Sequence, residues 1–249
     1  MATRRPLRLL GVTITRAATR AATRAAKAVW NYLRRAPGTF LWLVILTVTT
    51  YVISHINPEF RDRFLRQRST NLHELSTNPI RVLFSSALYI DGGGLWLYYL
   101  LYNVFHVPVE RKLGTLRWLV VVIASHVGAT YLSEGALYWE VEHGYLPHSA
   151  VFTLDIGVSY ALAGVTAVFA YLIVAPWSYA YAAALTIYYG YALIAGNTFT
   201  DLGHFCAIII GFACYPLARG RTQWDPADVW VWLRQRMNRP VRSRPGRLP

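Results

Sequence analysis

DIGVSYALAG, residues 155–164, puts a serine where a hydrophobic run begins, with Gly157 two residues before Ser159 and Gly164 five residues after it. Two readings of this stretch compete. Ser, Gly and Ala let membrane helices approach closely, so the serine is packing material in a bundle. Alternatively, it is a nucleophile held just below a membrane surface. Both readings need a bilayer, and the chain around the stretch agrees. Of 249 residues, 55% are apolar and only 15% charged, a balance foreign to ordinary soluble domains. Apolar segments recur near the roughly 20 residues that carry a helix across a bilayer, not as the alternating segments of about ten that build a barrel. The expected class is all-α: a polytopic bundle of six transmembrane helices at 40–56, 94–109, 116–132, 156–175, 179–195 and 202–218.

Six spans leave both termini on one side, and the charges choose the side through the excess of Lys and Arg in cytoplasmic loops. With the N-terminus inside, nine basic residues precede the first span, three lie at the turn between spans two and three, and eight follow span six, leaving five of the 25 outside. The outer loop carrying Glu134, Glu140, Glu142 and Asp155 has no Lys or Arg. The net charge of +13 is therefore topology plus contact with anionic lipid head groups, and calls for no nucleic acid. These features predict an integral protein of a bacterial plasma membrane with both termini cytoplasmic.

The chain divides into a basic segment at 1–39, the membrane domain at 40–218 and a basic tail at 219–249. In the first, TRAATRAATRAAKA repeats every four residues and sets Arg16, Arg20 and Arg24 on one helical stripe with Lys27 beside it. Its other side is mostly alanine, which predicts a helix resting weakly on the inner leaflet. A mitochondrial presequence shares this composition. Arg34 and Arg35 precede an apolar run long enough to stay in the membrane, so a signal peptide is not expected. The tail ends in RSRPGRLP, a composition expected to be disordered. Cys206 and Cys214 lie about 12 Å apart along one helix, too far for a bridge between them.

Depth gives Ser159 a companion. It lies three residues into span four, and His204 lies two residues into span six, which enters from the same outer face. At 1.5 Å per residue, both side chains sit roughly 5 Å below the outer boundary. Asp155 and Asp201 mark that boundary. An ionisable group inside a span is costly and commonly functional, and a histidine beside a serine can act as the base that makes its hydroxyl nucleophilic. The helix start near Gly157 would offer backbone donors to an oxyanion. Gly157, Ala161 and Gly164 facing Ala207 and Gly211 serve close packing of the two helices under either reading. By count, His106 and His126 fall too deep to join Ser159 and read as helix contacts. EVEHGYLPH (140–148) holds acids and histidines in a loop without zinc-protease spacing, so no metal site and no cofactor are expected.

GVSYALAG (157–164), GHFCAIIIG (203–211) and PVERKLG (108–114) together resemble the rhomboid family of intramembrane serine proteases, in that family's order and within its six-helix layout. The resemblance covers about residues 40–218. It implies a Ser159/His204 dyad, water entering from the outer face, and a substrate helix unwinding into the site. The sequence departs from the pattern at the family's His-x-x-x-Asn, whose places fall on Gly94 and Tyr98, so the resemblance leaves Tyr98 as a side-chain oxyanion donor. The family's aromatic residue four after the serine is Ala163, and Tyr160 substitutes only if the local geometry differs. Where many relatives carry a Trp-Arg pair in the first outer loop, Phe60 and Arg61 stand. The expected activity is cleavage of single-span membrane proteins near the outer face. The alternative is a non-catalytic protein of the same fold that binds membrane helices.

Overall fold

The computed structural model describes residues 5–90 and 94–237. It is all-helical: no strand occurs among the described residues, and the only bridge there joins Ile173 to Trp224. The chain begins with α1 (Arg5–Leu33), which carries Arg20, Arg24 and Lys27 exposed, and continues into α2 (Pro37–Ser54). The RSRPGRLP tail lies outside the described residues.

The segment after α2 holds three short helices that the hydropathy pattern did not reveal, α3 (Pro58–Arg66), α4 (Leu72–Thr77) and α5 (Pro79–Ser86). Their starts are written locally. Asn57 and Asn71 accept backbone N–H bonds from Glu59 and Glu74, and Pro58 and Pro79 stand in first turns, where their missing N–H costs nothing. Trp42 Nε1 and Thr49 Oγ1 of α2 donate to the carbonyls of Ala87 and Leu88 and fix the end of this excursion.

The expected second span is helical throughout but segmented, as α6 (Leu95–Leu101), a π turn (Tyr102–His106) and α7 (Val107–Leu113). Gly114 then turns with φ +87°, a left-handed conformation that glycine adopts without strain, into α8 (Thr115–Glu142). α8 runs ten residues past the expected end of span three, so Glu134, Glu140 and Glu142 stand on helix and not in a loop. After a 3-10 turn at His148–Phe152 come α9 (Val158–Phe169), α10 (Trp177–Gly196), α11 (Phe199–Ala213), α12 (Tyr215–Ala218) and α13 (Pro226–Met237).

Two of these helices, Pro37–Ser54 and Thr115–Glu142, are each long and apolar enough to cross a bilayer, while Val158–Leu172 and Phe199–Ala213 are apolar but shorter. Length and apolarity thus mark two of the six expected spans, and the others fall short for physical reasons. α10 has the length but carries five tyrosines, and α6 with α7 is divided by the π turn. α8, α9 and α11 pack most extensively on one another, and α9 is buried along nearly its whole length. The perimeter remains apolar, as Leu41, Val44, Val48 and Tyr51 show along one side of α2.

One carboxylate joins three helices at the end of the bundle away from Ser159. Glu110, in PVERKLG, is buried and accepts bonds from the Gly38 and Thr39 amides at 2.8 and 2.7 Å and from Thr115 Oγ1 at 2.8 Å. The two amides are orphan donors in the first turn of α2, where a negative charge also meets the positive end of the helix dipole. Glu110→Ala is expected to destabilise the folded chain by about 2–4 kcal/mol, because three donors lose a charged acceptor. Glu110→Gln, which keeps an oxygen, should lose less. Unfolding by titration of a denaturing detergent checks both.

Candidate active site

Ser159 stands in the first turn of α9, half-buried. Gly157 is the N-cap, and its carbonyl already accepts from the amides of Tyr160 (3.1 Å) and Ala161 (3.4 Å). The Val158 and Ser159 amides, at the head of the helix, lie outside its hydrogen-bond ladder.

α9 and α11 make their closest approach below this turn. A Cβ on Gly211 would strike the Gly164 carbonyl, and one on Gly164 would strike the Ser125 hydroxyl of α8. The helices enter side by side, with Ser159 five residues above Gly164 and His204 seven above Gly211. Tyr160 spans the gap between them. Its ring meets the His204 ring edge-on at 5.0 Å, and it occupies the space where any side chain at Gly203 would stand. The sequence after the serine thus has its aromatic partner for the histidine at position 160 and not at Ala163, which is buried against other helices. On the other side Tyr189 of α10 stacks on His204 at 5.9 Å. Tyr98 of α6 lies near Tyr189 and 6.2 Å, ring to ring, from Tyr102. Gly94 is exposed, with open space where a side chain would project.

His204 lies near the Thr200 carbonyl one turn earlier. His55 and His143 do form a bond to the carbonyl one turn earlier, through Nδ1 to Tyr51 and Trp139. No hydrogen bond joins the Ser159 hydroxyl to the His204 ring among the described contacts. Catalytic pairs are commonly long without substrate and tighten when it binds.

Two residues stand elsewhere than their depth along the chain suggests. Asp155 does not mark an interface but is 3% exposed, held by the segment between α2 and α6. Its amide donates to Ser69 Oγ at 2.7 Å, its Oδ2 accepts from Thr70 Oγ1 at 3.0 Å, and its Oδ1 accepts from Tyr160 Oη at 3.0 Å. His126 is not too deep. Its Nδ1 lies 3.1 Å from the Gly157 carbonyl, its Nε2 lies 2.7 Å from the Leu83 carbonyl, and a Cβ on Gly157 would collide with its ring. A neutral imidazole has one N–H, and the shorter contact places it on Nε2 towards Leu83. His106 is elsewhere, stacked on Tyr102 at 4.0 Å and accepting from Trp118 Nε1. By contrast, Asp201 behaves as a helix start, forming a capping box with Thr198.

Ser69, Thr70, His126, Tyr189 and Gly203 are the neighbours that sequence reading did not connect with the serine. Their partners lie tens of residues away, and only the cap-forming Asn71 gave a local hint. The Glu134 carboxyl is also buried nearby, facing Asp155 and the Leu72 amide, with neither oxygen hydrogen-bonded. Cys206 and Cys214 are free thiols. No group of three or more potential metal ligands gathers among the described residues.

An all-helical chain with an apolar perimeter, and with a serine and a histidine on adjoining helices below one end, has the architecture of a polytopic bundle built around a recessed polar site. The family model described as "Rhomboid-like protein" matches residues 31–224, and the chain belongs to that family of integral membrane proteins. No curated protein and no solved structure matches it.

Burial pushes the Asp155 carboxyl up to about 6, against the opposing hydrogen bonds of Tyr160 and Thr70. Raised above the ordinary value of about 3.9, it takes up its proton in the folded state first, so it favours folding increasingly as pH falls from about 6 towards 4. Above about 6 its charge is a standing cost. Relative to Asp155→Asn, the wild-type chain should therefore gain about 1 kcal/mol of stability between pH 7 and pH 5. Thermal unfolding of both proteins in detergent at the two pH values measures this, and parallel curves would refute it.

Proposed function

We propose that this chain is an intramembrane serine endopeptidase, with Ser159 as nucleophile and His204 as general base, that cleaves single-span membrane proteins near their outer ends. The contact of Tyr160 with His204 across Gly203 carries the reading, because it sets the imidazole beside the helix turn that bears the serine. Asp155 holds the Tyr160 hydroxyl and so stiffens the ring against which His204 rests. In the reaction Ser159 Oγ bonds to the scissile carbonyl carbon as its proton passes to His204 Nε2. The tetrahedral intermediate expels the amine, which takes that proton. Water, deprotonated by the same ring, then hydrolyses the acyl ester. The Val158 and Ser159 amides, with the helix dipole behind them, offer donors to the oxyanion, and Tyr98 contributes a phenol from the α6 side.

The same reading assigns six crossings, taking α6 with α7, and α11 with α12, as single spans, and places both termini in the cytoplasm of a bacterium. The basic residues support it by their concentration at the end of the bundle away from Ser159. The basic ends would rest on anionic lipid head groups of the inner leaflet.

A fluorophosphonate probe should label the wild-type chain, fail on Ser159→Ala and label His204→Ala far more weakly. Equal labelling of wild type and Ser159→Ala would overturn the enzyme in favour of a helix-binding protein of the same fold. Tyr98→Phe, which removes one donor hydroxyl, should lower turnover of a reconstituted single-span substrate by about 10- to 1,000-fold with little change in KM. For the topology, in a chain lacking Cys206 and Cys214, cysteines at Glu142 and Asn197 should react with an impermeant thiol reagent on intact cells and one at Arg221 should not. The reverse pattern would invert the assignment.

A further inference from the structure

We infer that the end of the bundle opposite Ser159 holds a site for an aminophospholipid, with the phosphate and the ammonium of its head group recognised by different residues. A cavity of about 930 Å³ opens there between α7, the end of α9 and the chain leading into α13. Its floor is apolar, formed by Val104, Pro108, Phe169 and Leu172. Its rim is charged with both signs, by Arg35, Arg111 and Lys112 and by Asp225 and Asp228.

The wall that closes it is built by main-chain bonds. Trp224 N donates to the Leu172 carbonyl at 2.6 Å, and Val174 N donates to the Trp224 carbonyl at 3.0 Å. Lys112 Nζ donates to Thr222 Oγ1 at 2.6 Å, and Gln223 Nε2 to the Tyr171 carbonyl at 3.3 Å. The segment is thereby held across the helix ends with Trp224 facing the cavity.

The rim charges do not neutralise one another. Among the described residues the ion pairs are Arg66 with Asp62 and Arg81 with Glu74, both far from this cavity. Asp225 Oδ1 accepts from the Ala227 amide, and the Arg111 guanidinium stands 5.7 Å over the Tyr32 ring, which leaves its N–H groups available. Cations and carboxylates that share one mouth without pairing match a ligand carrying both signs. Arg35 and Arg111 suit a phosphodiester, which guanidinium forks bind in a bidentate manner, and the two aspartates suit a primary ammonium.

The floor says that the ligand is a lipid and not a soluble zwitterion. Val104 is exposed, and Leu100 and Leu97, four and seven residues earlier on the same helical side, are exposed with it. This stripe leads from the cavity along the perimeter, where an acyl chain lies when its head group is seated. The site stands apart from Ser159 and holds whether or not the chain is catalytic.

The test is native mass spectrometry of the purified full chain with equal amounts of phosphatidylethanolamine and phosphatidylglycerol of identical acyl chains. Wild type should retain phosphatidylethanolamine about tenfold better, the discrimination that one charged hydrogen bond provides. Asp225→Asn with Asp228→Asn should abolish that preference while lipid is still retained; the asparagine at 225 keeps the cap on α13. Arg35→Gln with Arg111→Gln should lower retention of both lipids, in a protein whose helical circular dichroism is unchanged. Equal retention of the two lipids by wild type, or a preference untouched by the aspartate changes, would mean an unselective lipid annulus and overturn the proposal. Binding of O-phosphoethanolamine as tight as that of phosphatidylethanolamine would overturn it too, by showing that the acyl chains contribute nothing.

Discussion

The close approach of α9 to α11 at Gly164 and Gly211 is the constraint on which the rest of the molecule depends. Without water to drive apolar surfaces together, membrane helices associate through packing and hydrogen bonds, and small residues allow the backbones to close. Here a Cβ at either position would meet backbone or a hydroxyl and not the flexible end of a side chain. The two helices are therefore locked in register, with Ser159 one and a half turns above the crossing and His204 two turns above it. The contact that could be dismissed as packing is thus the one that brings serine and histidine to a common layer. The two readings of DIGVSYALAG are complementary: the glycines pack, and their packing positions the serine.

Above the crossing, polar groups and not apolar ones hold the geometry. Asp155 ties the approach to α9 to Ser69 and Thr70, and His126, bonded through Nε2 to the Leu83 carbonyl, packs its ring against Gly157. The segment between α2 and α6 is thus fastened to the approach to the serine turn by groups that low dielectric makes costly to leave unpaired. Tyr160 carries that connection to His204. The result is a histidine gripped by an edge-on tyrosine and a stacked one, in a chain that lacks the family's usual aromatic at 163 and its usual pair at 94 and 98. Gly203 gives way to make room for Tyr160, a substitution of shape between two neighbouring helices.

The opposite end of the bundle is organised by charge. Glu110 draws together the starts of α2 and α8, and the basic residues around it and around Arg35 face the cavity behind Trp224. Polar function therefore divides between the two ends: a recessed site whose carboxylate and imidazole side chains are enclosed, and a charged rim open to its surroundings. An apolar perimeter lies between them, although only two helices are both long and apolar enough to cross a bilayer. The tyrosines of α10 and the broken course of α6, α7, α11 and α12 lower the signal without removing the apolar perimeter.

Much was legible in the sequence by itself. Composition pointed to the membrane, and the length of the apolar segments chose helices over a closed barrel, the two ways a chain satisfies its backbone in lipid. Short-range spacing also marked the glycines at 164 and 211, the serine at a helix start and the histidine near the start of another, since each signal lies within a few turns of one helix. Only the tertiary structure decided which aromatic meets His204, that Asp155 is buried and not interfacial, that His126 reaches the serine turn, and that Arg35, Arg111 and Asp228 share one cavity. Each of these joins residues brought together across elements, in several cases far apart in the chain. Side-chain depth and partnership are set by how helices of unequal length and interrupted course pack on one another, and a count of residues along a single span does not contain that information.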